Sequence, residues 1–108
     1  MSSDGFEQQM AILRAEYRRD LPAMLLDVES LWRELAAGSV PPERLMELQR
    51  RLHSIAGSAK TFGLPQLTES AREAEDFLEP FGAAGTLPAA AERAQFECLL
   101  HALKRAAP

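Results

Sequence analysis

Apolar residues recur at intervals of three and four residues through most of the chain, and Gly and Pro are grouped in the gaps between these stretches. Val, Ile and Thr are few and no long run alternates apolar with polar residues, so strand signals are almost absent. Ala, Leu, Glu, Arg and Gln, which favour helices, dominate instead. The pattern predicts an all-α protein. Short connections force neighbouring helices to run antiparallel, so we expect an up-down four-helix bundle with an N-terminal extra helix or extension.

The first part of the chain leaves two helix arrangements open. In one, a helix starts at Asp4 and ends near Arg19, and a second starts at Asp20 with Pro22 in its first turn and ends at Gly38. In the other, both stretches form a single helix that is kinked at Pro22.

Gly and Pro also mark the ends of three further helices. We expect the first of these helices to cover residues 42–62 and the second to run from Pro65 to Pro80. Thr86 and Pro88 mark the start of the third. The segment FGAAGT between the last two is predicted to be a flexible turn. In the helix over residues 42–62, seven apolar positions fall within one wedge at about 100° per residue. They are Leu45, Leu48, Leu52, Ile55, Ala56, Ala59 and Phe62.

The size and charge of the chain exclude several classes of function. Its 108 residues can form one hydrophobic core, so we expect a single domain over residues 1–108 and no large multi-lobed enzyme. The net charge of −4 and the scattered basic residues argue against binding to nucleic acid or a membrane surface. Cys98 is the one cysteine, no run is long and apolar enough to span a bilayer, and the N-terminus does not resemble a signal peptide. We therefore expect a cytoplasmic protein, and the initiating Met and the Ala-Ala-Pro ending favour a complete one.

His53 is the residue that suggests chemistry. It lies about 120° from the centre of the apolar wedge, so its ring should stand on the outer surface of the bundle. Gly57 lies one turn further on and Lys60 two turns further on. A glycine inside a helix costs about 1 kcal/mol relative to alanine, and close approach by another molecule would explain one here. We expect three more residues on this side to contribute to binding: Met46, Gln49 and Arg50.

An exposed imidazole can carry a phosphoryl group. It is a nucleophile near neutral pH without a helper base, and attack on phosphorus gives a phosphoramidate that can itself donate the group. Lys60 could balance the added negative charge. Such a transfer needs mainly positioning and electrostatics, so the partner can contribute the metal ion and the acidic acceptor.

The residues around His53 resemble a known family. The string LHSIAGSAKTFGL, from Leu52 to Leu64, is similar to the signature of histidine phosphotransfer (Hpt) domains, especially those at the front of chemotaxis-type histidine kinases. The resemblance implies a four-helix bundle whose histidine relays phosphoryl groups between receiver-domain aspartates or takes them from a kinase. His53 matches the phosphorylated histidine, and Gly57 matches the small residue that lets a receiver domain approach.

The resemblance also assigns roles to three other positions. The family usually has a lysine three residues after the histidine, where this chain has Ala56, and its lysine is Lys60 instead. Lys60 can therefore reach the phosphate only through its long side chain. Glu75 matches an acidic residue that holds the ring nitrogen Nδ1, which fixes the tautomer and leaves Nε2 as the nucleophile.

Each of these residues also has an ordinary structural interpretation. His53 and Lys60 can be solvated surface residues, Gly57 can allow close helix packing, and Glu75 can pair with Arg72 or Arg93.

We expect a phosphocarrier without its own ATP-binding domain, because the chain lacks a Gly-rich phosphate loop. Its expected partners are a receiver domain and a histidine kinase or hybrid kinase, and we expect it to be a monomer. We expect no bound cofactor or metal, with Mg²⁺ supplied by the receiver domain. Two alternatives stay open: a non-phosphorylated helical module that binds and inhibits a kinase or receiver, and the excised first domain of a larger histidine kinase.

Overall fold

The computed structural model describes residues 3–108, and Met1 and Ser2 of the predicted domain lie outside this range. The described chain contains four α-helices and one short 3-10 helix: α1 (Ser3–Ala37), the 3-10 helix Pro42–Arg44, α2 (Leu45–Thr61), α3 (Pro65–Ala84) and α4 (Ala90–Ala106). Residues 3–108 contain no strand. Helix α2 packs beside α1 and α3, and α4 closes the ring by packing beside α3 and α1. The predicted all-α four-helix bundle is therefore confirmed.

One hydrophobic core lies along the axis of the bundle. Six of the seven wedge positions of α2 are buried in it, and the seventh, Phe62, is half-buried at the end of the helix. Aromatic rings join the helices at both ends of the bundle. The ring centroids of Trp32 and Phe96 are 4.6 Å apart, and those of Tyr17 and Phe62 are 5.0 Å apart.

Helix α1 is a single helix that runs through Pro22, so the second of the two open arrangements is observed. At about 1.5 Å per residue its 35 residues span about 52 Å, close to the longest dimension of the molecule, 54 Å. Helices α2, α3 and α4 have only 17 to 20 residues each. Among residues 4–37 of α1 the first buried one is Tyr17, and residues 4–16 are exposed apart from Met10, which is partly buried. We call residues 4–16 the N-terminal overhang, because they project beyond the bundle.

The predicted C-terminal end, at Pro80, of the helix that starts at Pro65 is wrong. Helix α3 continues through Pro80 to Ala84, so most of the predicted FGAAGT turn is helical. Pro80 is exposed, and the one backbone carbonyl that its missing N–H leaves free, that of the exposed Asp76, can bond to water. The helix ends instead at Gly85, whose φ of 70° is in the left-handed region that favours glycine.

The last helix starts later than the sequence suggested. Helix α4 begins at Ala90, two residues after Pro88, which is buried. The Glu92 carboxylate accepts a hydrogen bond of 3.0 Å from the backbone N–H of Ala89 and so satisfies one free donor at the helix start. No helix in residues 3–108 is both long and apolar enough to cross a membrane.

Candidate functional site

Helix α2 holds His53 on its outward face. The neighbouring side chains of Leu52 and Ile55 are buried in the core, which fixes the rotation of the helix about its axis. The His53 side chain is consequently 76% exposed. An imidazole in this position is accessible to a second protein without any rearrangement of the fold.

Glu75 of α3 contacts the ring of His53. Its Oε2 lies 2.9 Å from Nδ1 of His53, and the Glu75 side chain is only 24% exposed. An ionised carboxylate can only accept a hydrogen bond, so this contact favours the tautomer with the proton on Nδ1. In the neutral ring Nε2 then has a free lone pair. The packing of α3 against α2 therefore places a carboxylate against one nitrogen of an exposed imidazole and leaves the other nitrogen open.

The alternative pairing of Glu75 with an arginine is not the one observed. The Arg93 guanidinium instead donates to the backbone carbonyls of Pro88, at 2.9 Å, and Ala36, at 3.5 Å. The bond to Pro88 stays between α4 and the segment just before it, and the bond to Ala36 links α4 to the end of α1. Glu75 is thus placed against His53.

Gly57 leaves open space beside His53. A Cβ atom built on Gly57 meets no heavy atom within 4 Å beyond the helix's own nearby backbone. Its φ is not positive, so the backbone does not require glycine either. The interpretation that Gly57 allows close helix packing is therefore wrong. What remains is a gap on the exposed surface, one turn from the imidazole.

Lys60 and Ala56 lie in different environments. Ala56, which replaces the usual lysine of the resembling family, is buried in the core. Lys60 is exposed and borders a shallow groove near the α2–α3 connection, together with Thr68 and Glu69. It lies seven residues beyond His53, which is about 10.5 Å along the helix axis. Lys60 therefore shares the outward face of α2 with His53, but two turns away.

The three predicted binding residues also differ in their surroundings. Met46 is exposed, and the exposed Arg50 borders a groove of about 520 Å³ between α1 and α2. Gln49 is partly buried against α3, where a Cβ on Gly82 would overlap its side-chain amide. Gly82 thus makes room for Gln49. Sequence reasoning missed Gly82, because nothing in the segment FGAAGT indicates a helix–helix contact.

A charged cluster stabilises the start of α2. The Glu47 carboxylate accepts hydrogen bonds of 2.7 Å from both Arg44 and Arg51, and these bonds lower the pKa of Glu47, with that from Arg44 having the larger effect. Arg51 also donates to the backbone carbonyl of Asp27 in α1, at 3.3 Å. The cluster thus links α2 to α1 on the side of the helix next to Arg50.

The described residues contain no group of three or more His, Cys, Asp and Glu side chains that could hold a metal ion. A comparison with family models finds a match to the model described as Hpt domain, over residues 12–107. No curated protein and no solved structure matches the chain. The matched range contains His53, Gly57, Lys60 and Glu75, and most of the N-terminal overhang lies before it.

Proposed function

Because the chain belongs to the Hpt domain family, we propose that His53 accepts a phosphoryl group and exchanges it with an aspartate of a receiver domain. Hpt domains are phosphotransfer modules of phosphorelays, and they interact with kinases and receiver domains. The contact of 2.9 Å between Nδ1 of His53 and Glu75 is the observation that carries the proposal for this residue. A cytoplasmic location is part of the same proposal, since the expected partners act there.

The chemistry follows from the tautomer that Glu75 favours. The lone pair on Nε2 of His53 attacks the phosphorus of the partner's aspartyl phosphate, and an N–P bond forms while the P–O bond to the aspartate breaks. The aspartate leaves as a carboxylate. Nδ1 keeps its proton throughout, and the negative Glu75 stabilises the positive charge that the ring gains. The reverse sequence returns the phosphoryl group to a receiver aspartate.

The surface around His53 supports docking of a second protein instead of binding of a small substrate. The ring is 76% exposed, and the gap at Gly57 lets another surface come close. Met46 and Arg50 supply an apolar and a charged part of the rim. The receiver's acidic pocket contributes Mg²⁺, and Lys60 balances part of the negative charge of the phosphoryl group.

The proposal is tested by incubating the chain with a phosphorylated receiver domain and measuring acid-labile, base-stable phosphate. His53→Gln should lose this label, whereas His101→Gln, which changes the other exposed histidine, should keep it. Both variants should melt like the parent protein, because exposed side chains contribute little packing. Label that persists in His53→Gln would overturn the proposal.

The same assay separates the main alternative. Ala56 replaces the usual lysine, so an inhibitory module that binds a receiver or kinase without becoming phosphorylated is the second candidate. It predicts binding of the receiver domain with no label on the parent protein. The proposed phosphocarrier requires both binding of the receiver domain and label on the parent protein.

A further inference from the structure

The N-terminal overhang carries an apolar stripe that the bundle does not cover. Phe6 is 62% exposed and Leu13 is 39% exposed, and Met10 between them is partly buried. Their spacing of four and three residues places them on one face of α1, in line with Tyr17, where the helix enters the core. Large apolar side chains aligned in this way are typical of a helix that packs against another helix.

Charged residues beside the stripe indicate that the partner helix is the overhang of a second copy of this chain. Glu7 and Arg14 are seven residues apart, so they lie on the same flank of the stripe, one near each end. If a second overhang lies antiparallel, about a two-fold axis level with Ala11 and Ile12, Glu7 of each copy lies on the same flank as Arg14 of the other. The two residues differ by about 3 Å in level along the helices, within reach of an ion pair. In a parallel pair this flank faces the opposite flank of the partner, so Arg14 meets Gln9 and no opposite charges pair. The flank is therefore complementary to itself only in the antiparallel orientation.

The dimensions of the overhang fit the same arrangement. Residues 4–16 extend about 20 Å at 1.5 Å per residue, so an antiparallel helix of equal length fills the space between the start of α1 and the bundle. In this register Met10 of one copy packs against Leu13 of the other. Phe6 reaches the base of the second overhang, beside Tyr17 and the half-buried ring of Phe62. Each apolar residue of the stripe thus has an apolar partner.

We propose that two copies of this chain associate through their N-terminal overhangs as an antiparallel helix pair. The contact buries the stripe of Phe6, Met10 and Leu13 and forms two ion pairs between Glu7 and Arg14. The proposal replaces the monomer expected from the sequence. It does not depend on the chemistry of His53, which lies on a different helix.

Sedimentation velocity of the complete chain at increasing concentration and low salt tests the association. The parent protein should form dimers as the concentration rises. Leu13→Lys should prevent this, whereas Ile12→Lys should behave like the parent, because the exposed Ile12 is directed away from the stripe. Circular dichroism of each variant checks that helix content is unchanged. A parent protein that stays monomeric throughout, or equal effects of the two lysine variants, would overturn the proposal.

Charge reversal tests the antiparallel register. Glu7→Arg and Arg14→Glu should each weaken dimerisation about fivefold, because either change creates two like-charge pairs. An equimolar mixture of the two variants should regain the parent affinity, since the mixed dimer restores both opposite-charge pairs. Arg19→Glu, which makes the same change away from the stripe, should have no effect. Failure of the mixture to associate better than either variant alone would contradict the register.

Discussion

Gly57→Ala should make the fold more stable although it changes a residue of the candidate site. Gly57 is inside α2, its φ is not positive, and an added Cβ meets nothing within 4 Å. The substitution therefore gains the full difference in helix propensity, about 1 kcal/mol, with no steric cost. In a domain of this size that gain raises the melting temperature by about 4 °C.

The open space at Gly57 should also affect docking of the phosphorylated receiver domain. A methyl group at Gly57 fills little of the space beside His53, so Gly57→Ala should slow transfer only slightly. Gly57→Arg should slow it about tenfold or more by excluding the receiver domain, while keeping most of the gain in stability. Thermal unfolding followed by circular dichroism and transfer of label from a phosphorylated receiver measure the two effects.

A matched control separates docking from stability. Gly5 is also helical and exposed, and an added Cβ there meets nothing within 4 Å, but it lies in the N-terminal overhang. Gly5→Ala should leave the transfer rate unchanged. If Gly57→Arg transfers at the parent rate, the gap is not a docking surface. If Gly57→Ala lowers the melting temperature, the space that the structure places there is wrong.

Four further substitutions test other parts of the structure. Leu52→Ala removes a fully buried side chain and should cost about 2–5 kcal/mol in denaturant unfolding, and a loss below about 0.5 kcal/mol would contradict the assigned core face. Lys60→Ala should slow transfer about tenfold or less, and the effect should be smaller at high salt. An unchanged transfer rate at low salt would mean that Lys60 is only a solvated surface charge. Glu75→Ala should slow phosphorylation of His53 about tenfold. The control Glu73→Ala, which changes an exposed glutamate of the same helix, should have no effect, and equal rates for the two variants would contradict the orienting role. The lowered pKa of Glu47 means that its ion pairs stabilise the fold above the ordinary glutamate pKa and that this contribution is lost as pH falls through the lowered value. Glu47→Gln should therefore reduce the acid dependence of unfolding, and an unchanged dependence would contradict it.

The core face of α2 was predictable because a regular helix converts sequence spacing directly into direction. With about 100° between successive residues, burial of Leu52 and Ile55 places His53 outside, and the structure has this arrangement. Helix ends were less predictable at proline. Pro22 and Pro80 are both exposed within continuous helices, where each removes one backbone hydrogen bond. Packing of the rest of the helix outweighs that local loss, and the spacing of residues does not reveal it.

The site was predictable only in part, since its second half depends on how two helices pack. From residue spacing, Glu75 could equally have paired with an arginine. Only the family resemblance indicated that its partner is His53. The contact between Gly82 and Gln49 had no sequence signal at all. It arises because α3 continues past Pro80, so an error about one helix end also concealed a contact next to the site.

The most direct test of the proposed chemistry is nuclear magnetic resonance of the phosphorylated chain labelled with ¹⁵N-histidine. The chain has two histidines, so the ring nitrogens of His53 can be assigned by comparison with His53→Gln. Because Glu75 holds the Nδ1 proton, we predict phosphorus–nitrogen coupling at Nε2 of His53 and a retained hydrogen bond at Nδ1. Coupling at Nδ1 of His53, or at a ring nitrogen of His101, would contradict the account.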